Sequence, residues 1–273
     1  NHDGADDLIV CCSEDRAIEI YEGLNIRNRS RAPSQKVTTP GKPQDVDPED
    51  VVKPKFGNVG ATTNDPDEII TMNVGTDGSL ADPVGYPSGD NPGPITSEDV
   101  DGDGNSDFVA TNQDDGSVTV LKQSAGRGYD PPIMLPLGAT AGSLTIVDIE
   151  GDGDQDIVAV VDDGDGPVAK LLRNDMNLYD GELLVFADAE PLQTDVDPVL
   201  VDSGDIDQDG FADLVTIGES NQRSRGGAPS TMETHPNQRC SGDVNGDNKV
   251  DVNDLLRVIK DWGDCPSTDC PSD

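Results

Sequence analysis

The chain has 273 residues, of which 55 are acidic and 18 basic, so its formal charge is −37. A surface this negative repels phosphate backbones and anionic lipid, and we expect neither nucleic acid nor a membrane surface as a partner. Hydrophobic residues make up 33 % of the chain and aromatic residues 3 %, which suits small stacked repeats better than one wide core. No apolar run reaches the ~18 residues of a membrane-spanning helix, so no direct membrane insertion is expected.

One nine-residue pattern, D-x-[DE]-x-D-G-x-x-D followed by an apolar run of strand character, recurs along the chain. The N-terminal NHDGADDLIVCC carries it without its first two positions. Asn1, Asp3 and Asp7 then fall at positions 3, 5 and 9 and form a partial metal site. Cys11 and Cys12 lie on the strand that follows. We expect at least one of them in the core, with a disulfide between them as the rarer alternative.

The next stretch departs from the pattern. Residues 24–55 hold seven of the basic residues and five prolines without clear periodicity, and we interpret them as a long irregular insert whose role the sequence leaves open. Residues 56–73 (FGNVGATTNDPDEIITMN) form a weaker copy, in which Asp67 stands for the last acid of the pattern. Its loop has lost most of the acids, and we expect no metal there.

Three full copies follow, and their spacing predicts calcium loops. Acids at positions 1, 3 and 5 turn inward, a glycine at position 6 brings round the carbonyl of position 7, and position 9 closes the cage. The ligands of the first full loop are Asp99, Asp101, Asp103, the Asn105 carbonyl and Asp107. Those of the second are Asp148, Glu150, Asp152, the Asp154 carbonyl and Asp156. Those of the third are Asp205, Asp207, Asp209, the Phe211 carbonyl and Asp213.

Other readings of these loops fit less well. Magnesium demands octahedral geometry and keeps several waters, and zinc prefers Cys and His, which these loops lack. An acidic, solvated hairpin turn remains the alternative for any one loop, because Asp and Gly are ordinary turn residues. Three copies before matching strands favour the metal site, since crowded carboxylates repel one another without a cation.

The last acids of the copies, Asp7, Asp67, Asp107, Asp156 and Asp213, are spaced by 60, 40, 49 and 57 residues. Such a period suits the four-stranded blade of a β-propeller. The best-defined copy predicts strands at 143–147, 156–161, 168–173 and 183–187, with a turn at 162–166. A similar turn is expected at 112–116.

The repeats resemble the FG-GAP/VCBS family, the calcium-binding blades found also in integrin α-chain propellers. The resemblance spans residues 1–218, and the segment DGSLADPVGYPSGDNPGPITSEDVDGDGNSDFVATN carries it most closely. It implies an all-β propeller with calcium loops between the first two strands of a blade. About five copies are present, so an incomplete ring is one expectation.

Residues 219–239 read as a linker, and residues 240–273 as a separate module. Within CSGDVNGDNKVDVNDLLRVIKDWGDC the spacing 1, 3, 5, 7, 9, 12 predicts an EF-hand-like loop that opens a helix. Its ligands are Asp243, Asn245, Asp247, the Lys249 carbonyl, Asp251 and Asp254. Cys240 and Cys265 flank the module and are candidates for a disulfide, which leaves the pairing of Cys270 open.

The module resembles a type I dockerin repeat of the Cys-flanked, planctomycete-like form, and CPSD at 270–273 parallels CSGD at 240–243. The resemblance implies a truncated second repeat, a fragment of a longer protein, and a cohesin-like domain as a candidate partner. Three of the five cysteines lie around this module and indicate an oxidising compartment, so we expect a secreted or cell-surface protein.

No nucleophile, P-loop or zinc-protease motif occurs, so we expect no enzyme activity in this chain. The first hypothesis is an extracellular adhesion or protein-interaction scaffold that calcium stabilises. The alternative is a carbohydrate-binding accessory region of a dockerin-bearing enzyme of polysaccharide catabolism. The partner is accordingly a protein or a glycan at the cell surface.

Overall fold

A computed structural model describes residues 7–22, 33–48, 57–124, 128–174, 184, 186–194, 196–206, 211–220 and 230–235. These residues are all-β: they form antiparallel strands grouped into small sheets, and no helix occurs among them. Within the same ranges, the structure therefore contains no helix long and apolar enough to cross a membrane.

Five sheets follow one another along the chain. The first is β1 (Leu8–Cys12), β2 (Ala17–Tyr21) and β3 (Gln35–Thr38). The second is β4 (Lys42–Pro48), β5 (Asn58–Asn64), β6 (Glu68–Asn73) and β7 (Val84–Pro87). The third is β8 (Pro92–Glu98), β9 (Asp107–Asn112), β10 (Ser117–Leu121) and β13 (Ile133–Pro136), with the hairpin β11 (Gln123–Ser124) and β12 (Gly128–Tyr129) inserted.

The fourth sheet is β14 (Thr140–Val147), β15 (Asp156–Asp162), β16 (Pro167–Leu172) and β17 (Glu190–Pro191). The fifth is β18 (Val196–Gly204), β19 (Asp213–Ser220) and β20 (Ser230–His235). Each sheet is an up-and-down meander, in which every strand pairs with the next one in the sequence apart from the inserted hairpin. Sheets two to four have the four strands of the blade that the repeat spacing predicted, whereas sheets one and five have three strands among the described residues.

A shared irregularity shows that sheets two to five are copies of one unit. In each, the register of the first strand against the second shifts near the start of the first strand. The shifts lie at Pro43/Asp45, Pro92/Ile95, Ala141/Leu144 and Pro198/Leu200. Proline has no N–H to donate to a strand ladder, so it is tolerated mainly in edge strands and at bulges. Three of the four first strands have a proline at this register shift.

The core is divided into thin layers, one between each pair of neighbouring sheets. Sheets one and two enclose a cluster around Ile18 and Ile70, and sheets two and three enclose one around Ile69 and Phe108. The layer between sheets three and four includes Val109, Val161 and other aliphatic residues, and that between sheets four and five includes Val160. Alternate residues of a central strand face opposite layers, because the side-chain period of a strand is two. Because each layer needs only a few apolar side chains, this propeller-like stacking allows a chain poor in hydrophobic residues to fold.

The insert predicted at 24–55 is wrong for the part that the structure describes. Residues 35–38 are β3, the last strand of the first sheet, and residues 42–48 are β4, the first strand of the second. Val37 is buried in the first core layer, and Pro43 lies at the bulge. The prolines and lysines of these edge strands hide the alternation that identifies a strand.

The alignment of the weaker copy also needs correction. Asp67 lies in the turn between β5 and β6, whereas Asn58 begins β5 as Asp107 begins β9. The two pairings agree to within one position: the last residue of β4, Pro48, pairs with the second residue of β5, Val59, and the last residue of β8, Glu98, pairs with the first residue of β9, Asp107. Asn58 lies 49 residues before Asp107, which is within the range of the repeat spacing. Both strands of this hairpin are buried, but β5 (NVGATTN) is rich in Asn and Thr, whereas β6 (EIITMN) carries the more apolar run that the pattern follows.

The predicted strands of the fourth sheet are confirmed except for the last. β14, β15 and β16 and the turn before β16 lie where the sequence placed them, as does the turn at 113–116. The outer strand that pairs with β16 is β17. Of the predicted strand at 183–187 the structure describes residues 184, 186 and 187, and Phe186 forms an isolated bridge with Asn174. The predicted linker at 219–239 is wrong for residues 230–235, because they form β20 and pair with β19. The proposed domain limits stay predictions.

Candidate metal centre

Three acidic loops occupy equivalent places in the fold. Residues 99–106, 148–155 and 205–212 each join the first strand of a sheet to the second, in sheets three, four and five. This is the position that the FG-GAP resemblance implied. In each loop the last acid of the pattern is the first residue of the second strand. In the two loops that are described in full, at 99–106 and 148–155, the hairpin connection brings the other acids of the pattern near it.

The loop at 99–107 brings three predicted ligands together. One ligand oxygen each from Asp99, Asp101 and Asp107 lies within 4.8 Å of the others. Asp107 is fully buried, Asp101 is 8 % exposed, and Oδ1 of Asp99 is buried with no hydrogen-bond partner. Among the described residues, no other group of three acid, His or Cys side chains converges in this way. Hard carboxylate oxygens at this spacing fit a divalent cation such as calcium.

The remaining residues of this loop shape it. Asp103 is exposed and lies outside the converged group, and its Oδ1 accepts hydrogen bonds from the backbone N–H and the side-chain amide of Asn105, both at 2.8 Å. Gly102 and Gly104 have φ values of 70° and 84°, which a residue with a Cβ rarely adopts. The glycines therefore permit the tight bend that turns Asp99 and Asp101 toward Asp107.

The last acid of each loop has a role that the sequence did not show. Oδ2 of Asp107 accepts the Val100 N–H at 3.1 Å, and its Oδ1 accepts the Gln123 N–H at 2.7 Å. Asp156 repeats the arrangement with the N–H groups of Ile149 (3.0 Å) and Asn174 (2.8 Å). Each carboxylate therefore ties the start of its loop to the residue that lies two positions beyond the third strand.

Asp213 repeats part of this arrangement, because its Oδ2 accepts the Ile206 N–H at 2.9 Å. The bond joins the second residue of the loop to the first residue of β19, as in sheets three and four. The arrangement is thus a property of the repeat. In the sequence, the arrangement is indicated by the acid at position 9, the apolar residue at position 2 and the constant length of the loop.

Burial makes the negative charge of these carboxylates costly. It raises the pKa of Asp107 to about 7 and that of Asp156 to about 8, against the hydrogen bonds from backbone N–H groups. Burial also raises the pKa of Asp99, and the neighbouring carboxylates of Asp101 and Asp103 add to the rise. A cation bound among them would offset both the desolvation and the mutual repulsion.

Two basic side chains already contact acids of the loops. Lys122, which follows β10, places Nζ 2.5 Å from Oδ2 of Asp101. Arg173, which follows β16, places Nη1 2.6 Å from Oε2 of Glu150 and Nε 2.7 Å from Oε1 of Glu190. Nothing in the calcium pattern of the sequence indicated these pairs, because both bases lie outside the loops.

The loop at 148–156 is more closed on itself. Oδ1 of Asp148 accepts the N–H groups of Gly151 (2.7 Å) and Asp152 (3.1 Å), and its Oδ2 accepts that of Gly153 (3.0 Å). Oδ1 of Asp152 accepts the Asp154 N–H at 3.0 Å. The predicted ligands Asp148, Glu150, Asp152 and Asp156 are neighbours in this loop, but they do not form a converged group of three.

The other predicted sites are described only in part. Asp205, Phe211 and Asp213 are described, whereas Asp207 and Asp209 are not. Asp7 directly precedes β1, and Asn1 and Asp3 lie outside the described residues. So does the whole module at 240–273, with its ligands Asp243, Asn245, Asp247, Lys249, Asp251 and Asp254 and the cysteines Cys240, Cys265 and Cys270. Cys11 and Cys12 are free thiols, and Cys11 packs against the first core layer.

Comparisons with known proteins give one family and two distant structures. Residues 99–159 match the model of the FG-GAP-like repeat. No curated protein matches the chain. A crystal structure of a protein of unknown function from Bacteroides caccae is similar at 11 % identity and a TM-score of 0.45, over 83 % of this chain and 73 % of that one.

The V. cholerae biofilm matrix protein Bap1 is similar at 16 % identity and a TM-score of 0.34, over 70 % of this chain and 37 % of its own. Neither structure is close enough to support a function. The matched family segment begins at Asp99, ends in β15 and contains the two acidic loops that the structure describes in full, at 99–106 and 148–155. The match shows that residues 99–159 are similar to an FG-GAP-like repeat.

Proposed function

We propose that this chain is an extracellular calcium-binding repeat protein that acts as a non-catalytic adhesion or protein-interaction scaffold. The observation that carries the proposal is the convergence of Asp99, Asp101 and Asp107 at the base of the β8–β9 connection. Calcium bound there would fix the two ends of the loop against each other. The stacked sheets would then present rigid outer loops to a partner.

Calcium is the cation that this donor set favours. All three donors are carboxylates, and calcium accepts such hard ligands at flexible geometry, with the Asn105 carbonyl and water available to complete the shell. The buried Oδ1 of Asp99 lacks a hydrogen-bond partner, so an ion would satisfy an atom that the fold leaves without one. The loops at 148–156 and 205–213 are further candidate sites of the same kind.

The packing of the aromatic residues favours a protein partner over a glycan. Phe108 is fully buried, and the ring of Tyr129 lies 5.8 Å from it and 5.5 Å from the ring of Tyr86. These three rings belong to the layer between sheets two and three. Sugar binding usually needs aromatic faces open to solvent, and the chain has only nine aromatic residues in all. Among the described residues, the carbohydrate-binding alternative therefore has little aromatic surface to use.

Calorimetric titration and thermal melting test the metal site. We expect the wild-type chain to bind calcium, and its melting temperature to fall in excess chelator and recover when calcium is restored. At calcium concentrations about ten times the dissociation constant, each site contributes about 1.4 kcal/mol to the free energy of unfolding. Asp99→Asn should remove one bound ion and that contribution. Asp82→Asn, the same charge change at an exposed position outside the loops, is the matched control.

A melting curve that excess chelator leaves unchanged would overturn the metal part of the proposal. The partner is tested separately, by presenting the calcium-loaded chain to a glycan array and to candidate surface proteins, with a cohesin-like domain among them. Specific glycan binding would favour the carbohydrate-binding alternative. Saturable, chelator-sensitive binding to a protein would support the scaffold.

A further inference from the structure

Lys122 and Arg173 occupy the same place in consecutive sheets. Each directly follows the third strand of its sheet, β10 or β16. The next residue, Gln123 or Asn174, donates its N–H to the last acid of the loop. The side chain of the basic residue contacts the acid at position 3 of the same loop, Asp101 or Glu150. The same contact thus recurs in two repeats.

The contact places a positive charge among the predicted calcium ligands. The Asp101 side chain is 5 % exposed and belongs to the converged group of three carboxylates, and Lys122 Nζ lies 2.5 Å from its Oδ2. A carboxylate oxygen that is bound to an ammonium group is not free to bind a divalent ion with full strength.

We propose that Lys122 and Arg173 are built-in counter-cations that compete with calcium for the acid at position 3 of their loops and thereby set the calcium affinity of each loop. The proposal rests on the calcium binding proposed above. It assigns to the two bases a role that the ligand pattern does not contain. In the calcium-free chain they hold the loops in shape, and in the calcium-bound chain they move away from position 3.

The two bases differ in how firmly they are held. Lys122 pairs with Asp101 through a strongly hydrated ammonium group on a flexible stem. Arg173 bridges Glu150 and Glu190 with two nitrogens of a rigid fork. Displacing Arg173 therefore breaks two contacts, and the loop at 99–107 should bind calcium more tightly than the loop at 148–156. The convergence of three oxygens in the first loop and not in the second agrees with this order.

The test compares calcium dissociation constants of the full chain and its variants by calorimetric titration. Lys122→Gln should tighten the affected site about tenfold, because a unit charge near a divalent ion is removed. Lys122→Arg should weaken it, and Arg173→Gln should tighten a second site. Lys36→Gln is the matched control, since Lys36 Nζ pairs with Asp15 (2.8 Å) and Glu19 (3.1 Å) away from the acidic loops. Its titration should match that of the wild type.

Melting in excess chelator provides a second readout. Lys122→Gln should lower the melting temperature more than Lys36→Gln, because Asp101 is nearly buried and the partners of Lys36 are more exposed. Wild type and Lys122→Gln binding calcium with equal affinity would overturn the inference and leave the calcium site standing. Binding by Lys122→Gln where the wild type binds none would support it, and absence of binding in both would overturn both proposals.

Discussion

Gly60 and Phe108 face each other across the layer between the second and third sheets, and a Cβ atom on Gly60 would lie 2.5 Å from Cε1 of the Phe108 ring. Phe108 is fully buried, so a shift of its ring would disturb the packing of this layer. The close approach allows the one large aromatic residue of β9 to fit against β5. Two neighbouring repeats are therefore matched to each other in shape.

Gly60→Ala should lower the free energy of unfolding by about 1 to 3 kcal/mol, because the added methyl group overpacks this layer. Gly142→Ala is the control, since its Cβ would meet only the Val160 carbonyl at an ordinary 3.6 Å. We expect the control to be neutral or stabilised by up to about 1 kcal/mol. Chemical denaturation of both variants measures the difference. Equal stabilities would show that the Phe108 layer yields more easily than the structure indicates.

The apolar residue at position 2 of the acidic loops should contribute more to the free energy of unfolding in the third sheet than in the fifth. Val100 is 1 % exposed in the layer between sheets three and four, whereas Ile206 at the equivalent position is 49 % exposed. Val100→Ala should cost about 2 kcal/mol of unfolding free energy, and Ile206→Ala less than about 0.5 kcal/mol. The comparison is made by denaturant unfolding in one buffer. A large loss for Ile206→Ala would mean that a further surface covers this residue in solution.

The calcium-free chain should become less stable as the pH rises. Burial raises the pKa of Asp107 to about 7 and of Asp156 to about 8, so the folded chain keeps protons that the unfolded chain has lost above about pH 4. This contribution to stability is fully present below the unfolded pKa and is lost as the pH rises through the two folded values.

The measurement is the melting temperature in chelator between about pH 5 and pH 9. We expect it to fall across this range by several degrees, and more steeply in the wild type than in Asp107→Asn, which cannot ionise at that position. Saturating calcium should reduce the fall, because the ion stabilises the charged carboxylates. An identical pH profile for the wild type and Asp107→Asn would show that Asp107 does not carry the effect.

The two adjacent thiols should react at different rates. Burial raises the pKa of Cys11 to about 12, with the charge of Asp45 adding to it, and the side chain packs against the first core layer. The thiolate is the reactive form, so iodoacetamide at about pH 8 should modify Cys12 before Cys11. Peptide mass mapping of a time course distinguishes the two sites. Earlier modification of Cys11 would indicate that β1 opens in solution.

The regular acids and apolar runs were sufficient to predict most of the repeat organisation. Asp107 and Asp156 directly precede strand residues, and the strands that follow them lie where the pattern placed them. The pattern failed where strands are short, polar or rich in proline, as in β3, β4 and β17. It also placed Asp67 in the wrong strand connection, because the apolar run that follows Asp67 is β6, while the strand that follows the loop, β5, is rich in Asn and Thr.

The sequence by itself determined the all-β repeat class and the acidic loops, since both follow from residue type and spacing within a short stretch of chain. Only the tertiary structure decided which acids converge and what else contacts them. Lys122 lies 21 residues after Asp101, and the pairing of β9 with β10 returns the chain to the loop. The pairing of the strands sets that distance. The competition between a side-chain cation and a metal ion is therefore a property of the folded sheet.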